Sequence, residues 1–144
     1  MNSPTAIDAS FLLKLILPEE GADEAASLWR SWLAEGRELV APSLLPYEAA
    51  SAIRKQVQRT VLDAETGREA LMYLRRLLVA VTLVPPDELH ESAWALAARY
   101  GRPNLYDAYY VALAVSIGCE LWTSDARLKR TMPGEPNIRV QGGR

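Results

Sequence analysis

The stretch TAIDASFLLKLILP, residues 5–18, sets a pattern that the rest of the chain repeats. A short apolar segment over 4–7 predicts a buried strand, and the segment over 10–17 predicts a helix that Pro18 ends. Asp8 lies between them, where the strand should be running into the core. Asp and Ser side chains can cap a following helix by accepting bonds from its free N–H groups. Capping explains Asp8 taken alone, so the question is whether other acids accompany it.

Short apolar segments alternate with longer helical segments along the whole chain, which is typical of a parallel sheet covered by helices. We predict strands over 4–7, 38–42, 81–85, 119–124 and 138–140. We predict helices over 10–17, 22–35, 44–59, 63–79, 87–100 and 105–117, with a short helical turn after 125. The segment LYDAYYVALAVSIG is apolar nearly all round, which indicates a helix buried against the sheet.

The composition favours one globular domain, which we expect to span residues 1–144. The formal net charge of −2 gives no general attraction for nucleic acid, so RNA or DNA binding would need a local basic patch. The single cysteine, Cys119, cannot form an internal disulfide, which fits a reducing cytoplasm. No segment approaches the ~20 apolar residues of a membrane span, and the early apolar run lacks the features of a signal peptide. We therefore expect a cytoplasmic protein that does not enter a membrane.

The single histidine, His90, limits the catalytic mechanisms that are open to the chain. Ser-His-Asp and Cys-His mechanisms need an imidazole beside a nucleophile, and His90 lies in an amphipathic segment where a solvated or partly packed side chain is expected. Zinc sites rich in histidine are excluded for the same reason.

Four acids have apolar surroundings: Asp8, Glu48, Asp107 and Asp125. Each follows a predicted strand or opens a helix, and in a parallel sheet these positions gather at one edge. Capping remains open for two of them, since Asn104 and Asp107 could together cap one helix and Asp125 another. Clustered carboxylates repel one another unless cations neutralise them, and oxygen ligands without His or Cys select Mg²⁺ or Mn²⁺. We therefore predict a divalent metal site.

Four blocks of sequence carry a resemblance to a known family: IDASFLLKLIL, PSLLPYEAASAIRK, NLYDAYYVALA and LWTSDARLKR. In this order and spacing they resemble the PIN domain, and specifically the VapC-type toxin ribonucleases, from residue 5 to about 140. The resemblance implies a three-layer α/β/α sandwich with a central parallel sheet and a metal-dependent endoribonuclease site. It puts the acidic quartet of the family on Asp8, Glu48, Asp107 and Asp125. Its accessory hydroxyl falls on Thr123, and the small polar residue of the first block falls on Ser10.

The same residues suggest a mechanism of phosphodiester hydrolysis. We expect Asp8 and Asp107 to be the main direct metal ligands. Glu48 and Asp125 would bind through water or a second ion, and either could accept the proton of the attacking water. Two hydroxyl side chains would orient water or the ligands, those of Ser10 and Thr123. In-line attack by water would leave a 5′-phosphate and a 3′-hydroxyl, as the resemblance also implies.

Contacts with RNA must come from basic or aromatic side chains near these acids. The basic candidates are Arg54, Lys55 and Arg59 in one segment, and Arg127, Lys129 and Arg130 in another. For each of them a phosphate contact and a solvated charge are both open. Three tyrosines could stack on bases or belong to the core: Tyr106, Tyr109 and Tyr110.

The resemblance also implies partners, namely a homodimer held inactive by a small cognate antitoxin that inserts a peptide toward the acidic site. Trp29 and Trp32 could belong to the core or to a partner surface. The alternative function is a PIN-type RNA-processing nuclease without an antitoxin. A two-component receiver domain would need adjacent acids after the first strand and a lysine after the last, and the chain has neither. An intact quartet argues against a catalytically inactive interaction module.

Overall fold

Five short parallel strands form the centre of the structure, a computed structural model that describes residues 3–142. The strands are β1 (Thr5–Ile7), β2 (Leu39–Pro42), β3 (Val81–Val84), β4 (Glu120–Thr123) and β5 (Ile138–Val140). The helices are α1 (Ala9–Ile16), α2 (Ala22–Ala34), α3 (Leu45–Gln58), α4 (Ala64–Leu78), α5 (His90–Arg99), α6 (Tyr106–Ile117) and α7 (Ala126–Thr131). The first two and last two residues of the predicted domain, 1–2 and 143–144, lie outside the described residues.

The sheet order is β3-β2-β1-β4-β5, which puts β1 in the middle. The chain steps from β1 to β2 to β3 in one direction, crosses back to β4, and continues to β5 on the far side. Because such crossovers are right-handed, α1–α4 cover one face and α5–α7 cover the other. The packing agrees, since α1 contacts α2 and α3 whereas α6 contacts α5 and the central strands. The predicted three-layer α/β/α fold with a parallel sheet is confirmed.

One predicted helix begins differently in the structure. The segment 87–100 starts with a 3₁₀ turn over Pro86–Glu88, and α5 begins only at His90. Pro85 and Pro86 have no N–H to donate, and the Leu89 N–H bonds to the Pro86 carbonyl in the tighter pattern of a 3₁₀ turn. The other helices and strands agree with the predicted ones to within one or two residues at each end.

Trp29 and Trp32 belong to the core, so the alternative of a partner surface is wrong for both residues. The Trp32 ring lies between those of Phe11 and Trp122, with centroids 5.2 and 5.7 Å away. This aromatic cluster joins α1, α2 and β4 directly behind the residues that follow β1 and β4. It therefore supports the carboxyl edge of the sheet from below. None of the helices in the described range is long and apolar enough to cross a membrane.

Candidate active site

The carboxyl ends of β1 and β4 flank the point where the strand order reverses. In open parallel sheets ligands bind in the crevice outside such a switch point, because the loops on either side leave in opposite directions. Asp8 directly follows β1 and Asp125 closely follows β4, so both lie at this crevice. Glu48 and Asp107 lie in the first turns of α3 and α6. The fold therefore brings all four predicted acids to one edge of the sheet.

Asp8 is the best-buried acid of this edge, with 8% of its surface exposed. Its Oδ1 accepts hydrogen bonds from the Phe11 N–H at 2.9 Å, which caps α1, and from the Ser10 hydroxyl at 2.7 Å. Its Oδ2 accepts a hydrogen bond from the Thr123 hydroxyl at 2.5 Å. Burial raises the pKa of Asp8 to about 6, although these three hydrogen bonds lower it, and the charge of Asp125 raises it further.

Ser10 and Thr123 are themselves held by backbone groups that follow β4. The Ser10 Oγ accepts the Ser124 N–H at 2.9 Å, and the Thr123 Oγ1 accepts the Asp125 N–H at 3.0 Å. The two hydroxyl oxygens are 3.1 Å apart. Gln141, just after β5, then secures this loop, since its Oε1 accepts the Ser124 hydroxyl at 2.8 Å and its Nε2 donates to the Gly21 carbonyl at 3.1 Å. Both predicted hydroxyl residues therefore orient the Asp8 carboxylate.

Glu48 is half-buried and contacts a residue that sequence reasoning treated only as a possible core or stacking group. Its Oε1 accepts the hydroxyl of Tyr110 on α6 at 2.5 Å. Burial raises the pKa of Glu48, the Tyr110 hydrogen bond lowers it, and the charge of Asp107 raises it again. Burial and the nearby Glu48 charge strongly raise the pKa of Tyr110, so the phenol keeps its proton and acts as a donor. Tyr110 follows Asp107 by three residues on the same helix, which was the available signal.

Asp107 does not cap its own helix. The Tyr106 N–H bonds to the Asn104 side chain at 3.2 Å instead, so Asn104 supplies the side-chain bond at the start of α6. Partial burial and the charge of Asp125 raise the pKa of Asp107, while the charges of Arg127 and Arg102 lower it. Its carboxylate is thus exposed at the crevice and repelled by another acid.

Asp125 does cap its helix, as the simpler interpretation of the sequence proposed. It accepts the Arg127 N–H at 3.0 Å and forms an ion pair with the Arg127 guanidinium at 2.8 Å. The Arg127 hydrogen bond lowers the pKa of Asp125, so this acid is the most firmly ionised of the four. Its charge nevertheless raises the pKa values of Asp8 and Asp107, which shows that it belongs to the same electrostatic group.

The donor chemistry of this edge fits a hard divalent cation, because all four groups are carboxylates and three of them have raised pKa values. Among the described residues, no three His, Cys, Asp or Glu side chains converge closely enough to form a finished metal cluster. The carboxylates lie apart because three of them bond to other side chains: Asp8 to two hydroxyls, Glu48 to Tyr110 and Asp125 to Arg127. A cation would have to draw these carboxylates inward.

The predicted substrate-binding residues fall in three different places. Lys55 lines a cleft beside Glu48. Arg54, its neighbour in sequence, lies in a separate groove between α3 and α4 with Arg68. Arg127 is paired with Asp125. Of these three residues, only Lys55 both lies beside the acidic edge and has no acidic partner among the described ion pairs.

The three tyrosines that could stack on bases or belong to the core differ in burial. Tyr110 is buried, Tyr109 is partly buried and Tyr106 is exposed. His90 is exposed, as predicted, and its Nδ1 lies 2.7 Å from the Tyr109 hydroxyl on the outer side of α6. Its Nε2 lies 3.6 Å from Asp87, and none of the described contacts joins it to the four acids of the edge.

Known proteins that are similar in sequence indicate the family of this chain. A family model described as the PIN domain matches residues 5–132. The chain is 38% identical over 134 residues to the VapC ribonuclease Mb0985 of Mycobacterium bovis, covering 93% of this chain and 95% of that one. It is 32% identical over 127 residues to ribonuclease VapC3 of Pyrobaculum aerophilum, covering 88% of this chain and 93% of the relative.

Two solved structures resemble the fold over nearly its whole length. PAE2754 from Pyrobaculum aerophilum matches with a TM-score of 0.70 at 26% identity, covering 97% of this chain and 85% of that one. A toxin–antitoxin complex from Klebsiella pneumoniae matches with a TM-score of 0.68 at 17% identity, covering 95% of this chain and 97% of that one. The second likeness shows the fold alone.

The raised pKa of Asp8 predicts a specific pH dependence of stability. Between its usual pKa of 3.8 and its folded pKa of about 6, the folded chain binds the proton more tightly than the unfolded chain. Asp8 therefore favours folding below pH 4, and this contribution is lost as the pH rises through 6. Asp8→Asn keeps the cap and removes the charge, and the Thr123 hydroxyl can then donate to Ser10. In metal-free buffer the variant should match the wild type near pH 4 and exceed its unfolding free energy by up to about 3 kcal/mol at pH 7.5.

Urea unfolding across this pH range measures the difference, and Asp63→Asn is the matched control. Asp63 caps α4, and the Thr66 N–H lowers its pKa, so its replacement should have the opposite sign at neutral pH. An Asp8→Asn variant that is less stable than the wild type at pH 7.5 would show that Asp8 is a purely structural cap.

Proposed function

The chain belongs to the PIN domain family, and on that basis we propose that it is a metal-dependent endoribonuclease and the toxic member of a type II toxin–antitoxin pair. The observation that carries this proposal is Asp8, a buried carboxylate with a raised pKa at the switch point of the sheet. Burying an acid there among other acids costs stability, which a structural role would not require. A relative that is 38% identical over most of the chain is named a VapC ribonuclease, which supports the same activity.

The cofactor we propose is Mg²⁺, with Mn²⁺ as a substitute. Asp8 and Asp107 would be direct ligands, and Glu48 and Asp125 would bind through water or a second ion. When bound, the cation polarises a phosphoryl oxygen and lowers the pKa of water. Ser10 and Thr123 hold the Asp8 carboxylate in one orientation, so that little entropy is lost when it binds.

Glu48 is the better candidate for the group that takes the proton from the attacking water. Its pKa is raised, whereas Arg127 lowers the pKa of Asp125, and a general base works best when its pKa lies near the operating pH. Tyr110 occupies one carboxylate oxygen of Glu48 and so fixes the direction of the other. In-line attack by water would leave a 5′-phosphate and a 3′-hydroxyl.

RNA would be held by cations around this edge, and we propose Lys55 as one of them because it shares a cleft with Glu48 and has no acidic partner among the described ion pairs. Arg127 could exchange its ion pair with Asp125 for a phosphate once a cation neutralises that acid. Arg54 stays a proposed contact for a more distant part of the RNA. These contacts give a local attraction that the net charge of −2 does not.

The partner we propose is a cognate antitoxin protein, since a solved toxin–antitoxin complex shares this fold. We further propose a homodimer, a single PIN domain over residues 1–144 and a cytoplasmic location, the last supported by the lone, buried and unpaired Cys119. The alternative function is an RNA-processing nuclease without an antitoxin. Expression of the chain alone in cells distinguishes the two, because a toxin would arrest growth and a processing nuclease would leave it unaffected.

Asp8→Asn and Asp107→Asn should each lower RNA cleavage in Mg²⁺ by at least about 100-fold and relieve growth arrest, because each removes a charged ligand. Single-turnover cleavage of a structured RNA measures the rate, and melting curves check folding. Asp63→Asn is the matched control, since it makes the same substitution at a helix cap remote from the edge. Near-normal cleavage by either edge variant would contradict the assignment of the ligands.

Glu48→Gln tests the proton acceptor separately. Glutamine keeps the shape and the hydrogen bond from Tyr110 but loses basicity, so cleavage should fall on the order of 100-fold while metal-free stability is kept or improved. Asp125→Asn should lower the cleavage rate less than Glu48→Gln does, because the lowered pKa of Asp125 makes it the weaker proton acceptor. A Glu48→Gln variant that is less stable yet fully active would reduce Glu48 to a helix-dipole partner.

A further inference from the structure

A cleft beside the acidic edge contains two exposed tyrosines. It lies between α3 and the start of α6, has a volume of about 450 Å³, and is lined by Tyr47, Glu48, Ser51, Lys55 and Tyr106. Cavities of roughly 300–1,000 Å³ are those that hold small ligands. Because Glu48 also belongs to the acidic edge, whatever fills this cleft lies next to that edge.

Neither tyrosine belongs to the hydrophobic core. Tyr47 is 75% exposed and Tyr106 is 56% exposed, whereas Tyr110 on the same side of α6 is buried in the core. Within the described part of the chain, neither exposed phenol hydroxyl makes a hydrogen bond. Single exposed aromatic residues are common, but these two come from different helices and line the same cleft. Their rings are thus available to a ligand at no cost to the core.

Apart from the Glu48 carboxylate, which faces the acidic edge, the lining suits an anion with an aromatic group. Tyr47, Ser51 and Lys55 follow one another at intervals of four residues, which places them along one face of α3. Lys55 lies seven residues beyond Glu48, or about 10 Å along the helix axis. An aromatic wall, a hydroxyl and an ammonium therefore lie in a row that leads away from the acidic edge.

We propose that this cleft is a nucleobase subsite, in which an unpaired base next to the scissile phosphate stacks on Tyr106 and Tyr47 while Lys55 contacts a neighbouring phosphate. The proposal rests on the proposed endoribonuclease function and adds the place where the enzyme distinguishes one RNA site from another. The base must be unpaired, because stacking on a side chain needs a free ring face. Of the three tyrosines predicted to stack or to pack, only Tyr106 has this role, and Tyr47 joins it.

The test compares Tyr47→Ala and Tyr106→Ala with Tyr47→Phe and Tyr106→Phe. Tyr73→Ala is the matched control, since Tyr73 is 45% exposed on α4 and does not line the cleft. Binding of a fluorescein-labelled single-stranded RNA of mixed sequence is measured in Mg²⁺ with Asp8→Asn added to every protein to prevent cleavage. Single-turnover cleavage of a structured RNA, mapped nucleotide by nucleotide, is measured without that change.

Each alanine variant should weaken binding about tenfold and redistribute the cleaved positions, since stacking on one ring contributes on this scale. The phenylalanine variants and Tyr73→Ala should stay within about twofold of their parent. Alanine variants that bind and cleave like the wild type would overturn the subsite alone. An equal loss in Tyr73→Ala would overturn it as well. A wild-type chain that does not cleave RNA would instead overturn the proposed function, and the subsite with it.

Discussion

The structure depends on one constraint, which is that the central strand ends in a buried carboxylate that the protein itself must solvate. Asp8 obtains its donors from the first turn of α1 and from Thr123 at the end of β4. Each donor is in turn fixed, so the register of β1 against β4, the start of α1 and the loop held by Gln141 all depend on the same group. Even with three hydrogen-bond donors the pKa of Asp8 stays near 6, so these bonds compensate only part of the cost of burying its charge.

The other acids repeat this arrangement in weaker forms. Glu48 has a neutral donor in Tyr110 and Asp125 has a cationic partner in Arg127. Asp107 has no side-chain hydrogen bond or ion pair among the described residues, although the charges of Arg127 and Arg102 lower its pKa. Three of the carboxylates therefore have partners of their own, while the charge of Asp125 raises the pKa values of Asp8 and Asp107, and the charge of Asp107 raises that of Glu48. This explains why the acids lie at one edge without forming a finished cluster, and why a cation is the group that would complete it.

The sequence predicted the fold closely because strand and helix periods, prolines and cap residues are local signals. It also located the edge, since the position of Asp8 and Asp125 after strands follows from the topology of parallel sheets. It could not predict the bond between Glu48 and Tyr110, because these residues are 62 positions apart and meet only where the first turns of α3 and α6 come together at the carboxyl edge of the sheet. The sequence also could not show that Lys55, and not Arg54, lies beside the acidic edge. Adjacent residues of a helix point about 100° apart, and only the packing of α4 against α3 shows which of the two faces the edge.

The most direct measurement of the central claim is the effect of Mn²⁺ on thermal unfolding at neutral pH. If the acidic edge is an incomplete cation site, millimolar Mn²⁺ should raise the melting temperature of the wild type by several degrees through preferential binding to the folded state. The same addition should have little effect on Asp8→Asn, which we expect to melt higher than the wild type in metal-free buffer. Equal shifts in both proteins, or none in the wild type, would contradict the account, because the buried carboxylate would then have no cation to compensate it.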